Sequence, residues 1–377
     1  MTDLGEPIHP ALPWVRRVHA LDEARAVGAA GARVRAVRDA AERLGDPLRD
    51  GPRALAVRTL PISDLIYPTK YAFQGAARVP WPFVTMRHRC LLVQVEAQGE
   101  VKTILFNPTD RESSKATPYF QQILRKVGWA EPYFGKPHGT LEESLAALGL
   151  RPEDIDVIAF DHFHTQDLRP SLGTTGGLRA RFPNATLLAP RAEWEDWDDL
   201  HPMQRAWFIA DGKRDLDTSR VVLTQGDLAL GEGCLLVSTP GHTSGNQTLF
   251  VHAFDGVFGC SENGTSADNW SPAESSIPGL AAHARTYDVE VILNANKPEL
   301  GAEQYTSMVL ERSLVDRVPG AEAFVQMFPS SEVTPSPVAP TLRPAMLFSE
   351  RTSGALRHPA QPAASGQGVE AQRASTA

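Results

Sequence analysis

The sequence predicts an α/β fold, in which short strands alternate with helices. Runs rich in apolar and β-branched residues, typical of buried strands, occur at 155–160, 185–189, 235–238 and 247–252. Segments with helix-favouring composition lie between or beside them, at 119–127, 141–148 and 301–318. An apolar share of 42% over 377 residues is enough to build a sizeable core.

Composition excludes several classes of partner. The net charge is −8 and the basic residues do not cluster, which argues against nucleic acid. The sequence has no run of 18 apolar residues, so we expect no membrane span. The segment Met1 to Pro7 lacks the features of a secretory signal, and we expect a cytoplasmic protein. Cys90, Cys234 and Cys260 lie far apart, so the sequence predicts neither a disulfide framework nor a CxxC metal pair.

Three segments are predicted from the change in composition along the chain. Residues 1–53 form an N-terminal extension whose stretch from Leu21 to Leu44 favours a helix. This helix is either a cap or the arm of a homodimer, or it packs on the outside of the domain, which is the favoured interpretation. Residues 54–328 form the main domain. Residues 329–377 are rich in Pro, Ala, Ser, Gly and Gln, a composition that predicts a flexible, disordered tail.

The first part of the main domain is predicted to be a set of strands and one capped helix. A strand at 54–60 precedes an aromatic and proline-rich loop, Tyr67 to Pro82, that either lines a pocket or packs in the core. Strands at 83–96 and 101–107 flank a predicted hairpin turn. Thr140 and Glu143 fit a capping box at the start of the helix 141–148. Two more strands are predicted at 256–260 and 289–293.

Four predicted strands each end in a loop that carries a candidate metal ligand. The strand 155–160 runs into His162 and His164, whose side chains point the same way because they are two residues apart in extended chain. The other three strands lead to His242, Glu262 and Asn296. Three imidazoles with an open position suit a catalytic zinc site. Asp161 is placed to orient one of these imidazoles.

The residues around these ligands resemble the metallo-β-lactamase superfamily over roughly residues 54–300. The superfamily motif His-x-His-x-Asp-His, followed by a distant Gly-His, an acidic ligand and a last His, is similar to His162-Phe163-His164-Thr165-Gln166-Asp167 and Pro240-Gly241-His242. The resemblance implies an αββα sandwich with the metal site at one edge of the sheets.

The chain departs from the motif at its second metal position. Gln166 replaces Asp, Asp167 replaces His, Glu262 replaces the bridging Asp and Asn296 replaces the last His. A shift of one residue in the third loop would make Ser261 or Cys260 the ligand there. The resemblance thus implies one tightly bound ion at His162, His164 and His242, and a second position remodelled from Asp167, Glu262 and Asn296. Zinc suits the first position, and iron or manganese is the alternative because hard oxygen ligands favour those ions.

These features predict a metal-dependent hydrolase of a small molecule. Water activated by the metal would attack an ester, lactone, thioester or amide, and Asp167 would be the general base. Two alternatives remain open: an iron-dependent oxidoreductase or oxygenase on the same fold, and a non-catalytic binding protein. His88, His252 and His283 lie within predicted strands or a helix and are predicted to have structural roles. Trp194, Trp197 and Trp207 either wall a substrate pocket or pack in the core, which is the favoured interpretation.

Overall fold

The structure is a computed structural model that describes residues 4–131, 135–295, 298–348 and 350–357. The strands are Leu4–Pro7 (β1), Val15–Val18 (β2), Ala56–Pro68 (β3), Phe83–Ala97 (β4), Glu100–Phe106 (β5), Val157–Ala159 (β6), Thr186–Pro190 (β7), Val221–Thr224 (β8), Asp227–Leu230 (β9), Cys234–Ser238 (β10), Gln247–Ala253 (β11), Gly256–Ser261 (β12), Arg317–Val318 (β13), Ala321–Val325 (β14), Met327–Pro329 (β15), Ser331–Thr334 (β16) and Thr352–Gly354 (β17). The α-helices are Asp22–Arg25 (α1), Ala30–Arg49 (α2), Thr69–Ala72 (α3), Arg111–Ser114 (α4), Pro118–Val127 (α5), Leu141–Ala147 (α6), Arg169–Leu172 (α7), Arg191–Asp196 (α8), Ala267–Trp270 (α9), Leu280–Tyr287 (α10) and Gly301–Leu314 (α11).

Two large sheets form the centre of the described chain. One sheet has the strand order β1-β2-β9-β10-β11-β12-β15. The other has the order β17-β3-β4-β5-β6-β7-β8, with β16 paired to β4. In the second sheet β5, β6, β7 and β8 run parallel, so the ends of β6 and β7 face the same edge. That edge is where loops after parallel strands commonly carry functional residues.

The layers of the fold follow from the packing partners of the two faces of each sheet. Alternate residues of β4, such as Leu91 and Val93, pack against Leu236 and Leu249 of the opposite sheet. The intervening residue Leu92 packs on the other side, with helix α6. The outer face of the first sheet packs against α2 and α11 through a third apolar cluster. The order helix, sheet, sheet, helix confirms the predicted αββα sandwich.

The N-terminal segment is part of this sandwich rather than an extension beside it. Helix α2 lies on the outer face, as the favoured interpretation predicted, and buries Val37, Ala41 and Leu44. Strand β2, however, pairs with β9 and so extends the first sheet at its edge. The boundary at residue 53 stays a prediction. The pairing of β2 with β9 was not predicted, because backbone pairing of short strands leaves little sequence signal.

The segment after residue 329, predicted to be a flexible tail, contains two strands that pair with the second sheet, and the boundary at 329 stays a prediction. Strand β16 pairs with β4, and β17 pairs with β3. Glu332 forms a buried ion pair with Arg89, with both side chains 2% exposed and 2.9 Å between Oε2 and Nη1. A buried charge needs such a partner, so the pair fixes β16 in the sheet. Residues 358–377 of the predicted tail lie outside the described residues.

The predicted strand at 289–293 is absent from the described residues, although Val291, Ile292 and Leu293 are buried. Side chains and loops take its backbone hydrogen bonds: Ile292 N donates to Asn269 O, and Asn269 Nδ2 donates to Ile292 O. Leu293 N donates to Gln74 Oε1. The apolar pattern predicts a strand here, but an apolar run does not by itself specify pairing with a neighbouring strand.

Other predicted elements are confirmed with small changes in their ends. The hairpin joins β4 to β5, and the capping box of α6 has both of its hydrogen bonds, between Thr140 and Glu143. Helix α11 ends at Leu314 rather than at 318, because Asp316 N donates to Val257 O and the chain enters β13.

Candidate metal centre

The loops that follow β6, β10 and β12 line one pocket. The loop after β6 carries His162 and His164, the loop after β10 carries His242, and Glu262 directly follows β12. Just after His164 the chain turns at Thr165, whose φ is +63°. A β-branched residue rarely adopts this conformation, and such strained positions cluster at functional sites. Thr165 N donates to Trp207 O at 2.7 Å, which helps to hold the turn.

The three histidines predicted to bind one ion converge. Their nearest ring nitrogens all lie within 4.8 Å of one another, and all three side chains are buried. The His164 Nδ1 atom is 3.2 Å from His242 Nε2. The His162 ring centroid lies 4.8 Å from that of His164 and 4.5 Å from that of His242. Three imidazoles from two distant loops thus surround a common point.

Neighbouring side chains determine which nitrogen of two of these rings is left for an ion. His162 Nδ1 lies 2.7 Å from Asp161 Oδ1, so this nitrogen donates and Nε2 keeps its lone pair. His164 Nε2 lies 2.8 Å from Gln204 Oε1, which assigns the hydrogen to Nε2 and leaves Nδ1 as the ligand atom. Histidine ligands of metals are commonly oriented in this way through their second nitrogen.

Asp161 is itself held in place, as expected for a residue that orients a ligand. Asn107 Nδ2 donates to its Oδ2 at 3.0 Å, and Asn107 Oδ1 accepts from its backbone N at 2.8 Å. Burial opposes ionisation of Asp161, but the charge of His162 and the hydrogen bond between the two lower the pKa of this carboxyl below its usual value. Burial likewise opposes the charge on His162, yet Asp161 raises its pKa above 6.5.

Glu262 lines the pocket. Its carboxylate does not belong to the group of possible ligand atoms that lie within 4.8 Å of one another, which come from the three histidines. Its Oε2 atom is buried and has no hydrogen-bond partner among the described residues. Burial, followed by the charge of Asp161, raises the pKa of this carboxyl well above its usual range. Ligation by Glu262 remains a prediction.

The structure does not bring Asp167 to the histidines. Its carboxylate accepts from Arg169 Nε at 2.8 Å and Nη2 at 2.7 Å, and it does not line the pocket. The predicted roles of Asp167 as metal ligand and general base therefore do not fit its position. The preceding side chain, Gln166, turns inward instead and donates to Thr109 Oγ1 at 2.9 Å. Asn296 lies outside the described residues, so its ligation stays a prediction.

His88 and Ser331 are among the pocket residues for which the sequence predicted no functional role. His88 lines the pocket and lies between two hydroxyls, Ser331 Oγ at 3.0 Å and Thr109 Oγ1 at 2.8 Å. Burial lowers the pKa of His88 to about 4, so the ring is neutral at pH 7. Its alternation with Met86 along β4 was a usable signal, since both share a face. Ser331 comes from the predicted tail, where composition gave no signal.

The rest of the pocket is aromatic and apolar on one side. Leu65, Met86 and Phe120 line it together with Tyr67 and Trp207, and its volume is about 680 Å³ including its open mouth. Tyr67 belongs to the aromatic loop for which a pocket role was one interpretation, and its hydroxyl donates to Asn294 Oδ1 at 2.7 Å. The structural role predicted for Trp207 is incomplete, because this ring also forms the pocket wall. Trp197 packs in the core, as predicted.

The donor set fits a metal ion. Three neutral imidazole nitrogens from buried rings are the ligands of a common class of catalytic zinc site. A cation would also favour the ionised form of Glu262, whose buried oxygen otherwise has no compensating partner in the described structure.

None of the described helices is both long and apolar enough to cross a membrane.

Comparison with known proteins identifies relatives over about half of the chain. No family model matches the sequence. The N-acyl homoserine lactonase AttM of Rhizobium radiobacter is 27% identical over 191 residues, which are 48% of this chain and 65% of that protein. AttM of Rhizobium johnstonii is 28% identical over 163 residues, 40% of this chain and 56% of that protein. The chain thus spans less than two thirds of the length of these curated relatives.

A solved structure of a quorum-quenching N-acyl homoserine lactone lactonase is 19% identical and covers 63% of this chain and 88% of its own, with a TM-score of 0.42. The homology to AttM, together with the cluster of His162, His164 and His242, confirms the resemblance to the metallo-β-lactamase superfamily.

Proposed function

We propose that the protein is a metal-dependent hydrolase that opens the ring of a lactone. The observation that carries the proposal is the convergence of three buried imidazoles on one point in a pocket. The sequence alone is compatible with an ester, lactone, thioester or amide as the attacked group. The homology to proteins named as lactonases favours the cyclic ester among these, and N-acyl homoserine lactones are the substrates to test first.

His162, His164 and His242 would hold a single divalent ion, for which zinc is the best candidate with three nitrogen ligands. When bound, such an ion lowers the pKa of water to about 7 and polarises a carbonyl oxygen. Asp161 and Gln204 keep the ligating nitrogens of His162 and His164 free of hydrogen.

Other side chains of the pocket bind and orient the substrate. Leu65, Met86 and Trp207 exclude water from one side and accept an apolar substituent. Gln166 presents its side-chain amide beside the histidines, held there by Thr109. Glu262 is a carboxyl group of the wall that is not bound to His162, and we assign to it the proton-holding role that was predicted for Asp167. Burial raises the pKa of this carboxyl well above its usual range, which favours uptake of a proton by Glu262.

The metal site is tested by elemental analysis of untagged protein. We expect about one equivalent of zinc in the wild type and a loss of metal in His162→Ala and His242→Ala. His283→Ala removes a histidine of helix α10, away from the pocket, and is the matched control. Equal trace metal in all four proteins would contradict the proposal and would favour a non-catalytic binding protein.

The reaction is tested by following acid release from N-acyl homoserine lactones and from a simple γ-lactone with a pH indicator. We expect ring opening that His162→Ala abolishes and Glu262→Gln strongly reduces, with Asp167→Asn as the control that keeps activity. Bound iron with oxygen consumption and no acid release would instead show the oxidative alternative.

A further inference from the structure

Helix α11 presents a row of buried polar side chains to the loops of the metal centre. Gln304, Ser307 and Glu311 lie three and four residues apart, so they share one face of the helix. All three are buried, with exposed fractions of 0%, 5% and 0%. None of them lines the pocket. A buried polar row on a helix that packs against a sheet calls for a specific partner, because polar groups are costly to bury unpaired.

Glu311 receives four hydrogen bonds, which uses the acceptor capacity of a carboxylate. Thr248 Oγ1, Ser261 Oγ and Asn263 Nδ2 donate to its Oε1 atom, at 2.7, 2.9 and 2.8 Å. Trp270 Nε1 donates to its Oε2 atom at 2.7 Å. The carboxylate therefore connects β11, the end of β12 and helix α9 at a single point.

One route leads from Glu311 to the tip of the loop that carries His242. Asn263 donates to Glu311 through Nδ2 and accepts from His242 N through Oδ1, at 3.1 Å. The same Nδ2 donates to Thr239 O at 3.1 Å. The orientation of the Asn263 amide is thus fixed by the carboxylate behind it, and its oxygen is directed at the backbone of His242.

A second route leads to the two ends of the same loop. Thr248 donates to Glu311, so its hydroxyl oxygen is left to accept from Thr239 Oγ1, at 2.7 Å. Asn246 Nδ2 donates to Thr239 O and Oγ1, both at 3.1 Å. The first and last parts of the loop 239–246 are therefore tied together above the carboxylate.

The remaining two residues of the row donate hydrogen bonds to the His242 loop and to the loop after β12, one each. Ser307 Oγ donates to Pro240 O at 2.7 Å, and Gln304 Nε2 donates to Asn263 O at 3.0 Å. A Cβ atom at Gly241 would lie 2.2 Å from Gln304 Cα, so the loop backbone rests directly on the helix backbone. This close approach explains why glycine precedes His242.

We propose that Glu311 is a positioning residue that fixes the His242 imidazole for metal binding through Asn263 and Thr248. The inference rests on the proposed metal site but concerns a residue outside the pocket. Because one carboxylate orients both the tip and the ends of the loop, its loss changes where the imidazole lies. Substitution of a residue that only stabilises the fold would lower the melting temperature but would leave the metal affinity of the folded protein unchanged.

The test compares Glu311→Gln with Asp268→Asn. The glutamine keeps the shape of Glu311 but replaces one carboxylate oxygen by an amide NH2 group. In either orientation of the amide this NH2 group faces a hydrogen-bond donor, which is Trp270 Nε1 at the Oε2 position and Thr248, Ser261 and Asn263 at the Oε1 position. Asp268 is also a fully buried carboxylate, and it accepts from Ser266, Ser275 and the backbone of Ala345, away from the histidine loops. Both changes are expected to lower the melting temperature of the chelator-treated protein.

The decisive measurement is zinc affinity by competition with a chromophoric chelator, with the cobalt absorption spectrum as a reporter of ligand geometry. We expect Glu311→Gln to weaken zinc binding by about 10–100-fold, the size of loss seen when partners of metal ligands are removed, and to alter the cobalt spectrum. Asp268→Asn should leave both unchanged. Wild-type affinity and spectrum in folded Glu311→Gln would overturn the inference.

Two further outcomes separate this inference from the proposed function. If Glu311→Gln fails to fold, the nearly isosteric Thr248→Val breaks only the second route and is expected to weaken zinc binding in the same direction; unchanged affinity there would overturn the inference. If the wild type binds no zinc, the proposed metal site itself is wrong and the inference falls with it.

Discussion

The hydrogen bond between Asp161 and His162 leads us to expect that Asp161→Asn weakens zinc binding. If the asparagine oxygen accepts from His162 Nδ1, its amide nitrogen meets the Asn107 Nδ2 donor, which lies 3.0 Å from Asp161 Oδ2. Asn107 cannot turn to relieve this, because its Oδ1 accepts from the backbone N of residue 161. In the opposite orientation the amide donates to Nδ1, and the hydrogen of His162 moves to Nε2, the atom needed for the metal.

Either arrangement weakens zinc binding, and we expect a loss of about 10–100-fold. In free energy this is about 1.4–2.7 kcal/mol. The pH dependence should change as well, because metal binding requires the neutral imidazole. In the wild type Asp161 raises the pKa of His162 above 6.5, so protons compete with zinc as the pH falls through that raised value. Without the Asp161 charge the effect of burial dominates, the pKa falls, and the competition moves to lower pH.

The assay is zinc affinity measured between about pH 5 and 8, the range in which histidines titrate. The matched control is Asp167→Asn, which removes the neighbouring acid paired with Arg169 and should leave zinc affinity unchanged. Equal affinity of Asp161→Asn and wild type at about pH 8 would refute the role given to Asp161. A large loss of zinc affinity in Asp167→Asn would support the role of metal ligand that the sequence predicted for Asp167.

Two more predictions concern stability. Gly241→Ala places a methyl group 2.2 Å from Gln304 Cα, so we expect the free energy of unfolding to fall by about 1–3 kcal/mol or more, measured by urea denaturation; an unchanged midpoint would contradict the observed packing. His88 has a folded pKa of about 4 against 6.5 in the unfolded chain, so the unfolded state binds the extra proton and stability falls as the pH drops from about 6.5 to 4. The contribution is about 3 kcal/mol. His88→Gln should flatten this part of the profile relative to wild type, and an NMR signal of His88 that titrates near pH 6.5 would contradict the prediction.

The sequence was informative where a local pattern determines the geometry. A buried strand followed by His162 and His164 placed both rings at one strand end, and the Pro240-Gly241-His242 turn identified the third ring. The capping box at Thr140 was likewise visible, because its two hydrogen bonds join residues three apart.

The sequence was uninformative where the partner of a residue is distant. Glu332 is paired with Arg89, and His88 with Ser331, across more than half of the chain. Nothing in the composition of either segment indicates that pairing. Neighbouring residues in a loop were also hard to distinguish: Gln166 turns into the pocket and Asp167 turns to Arg169, although both are polar.

The pairing of β16 with β4 has a consequence for how the protein is made. The pocket wall combines residues from Ser63 to Ser331, so its last contributor leaves the ribosome long after the three histidines do. A nascent or prematurely terminated chain can therefore expose the metal ligands before the strand that closes the wall exists.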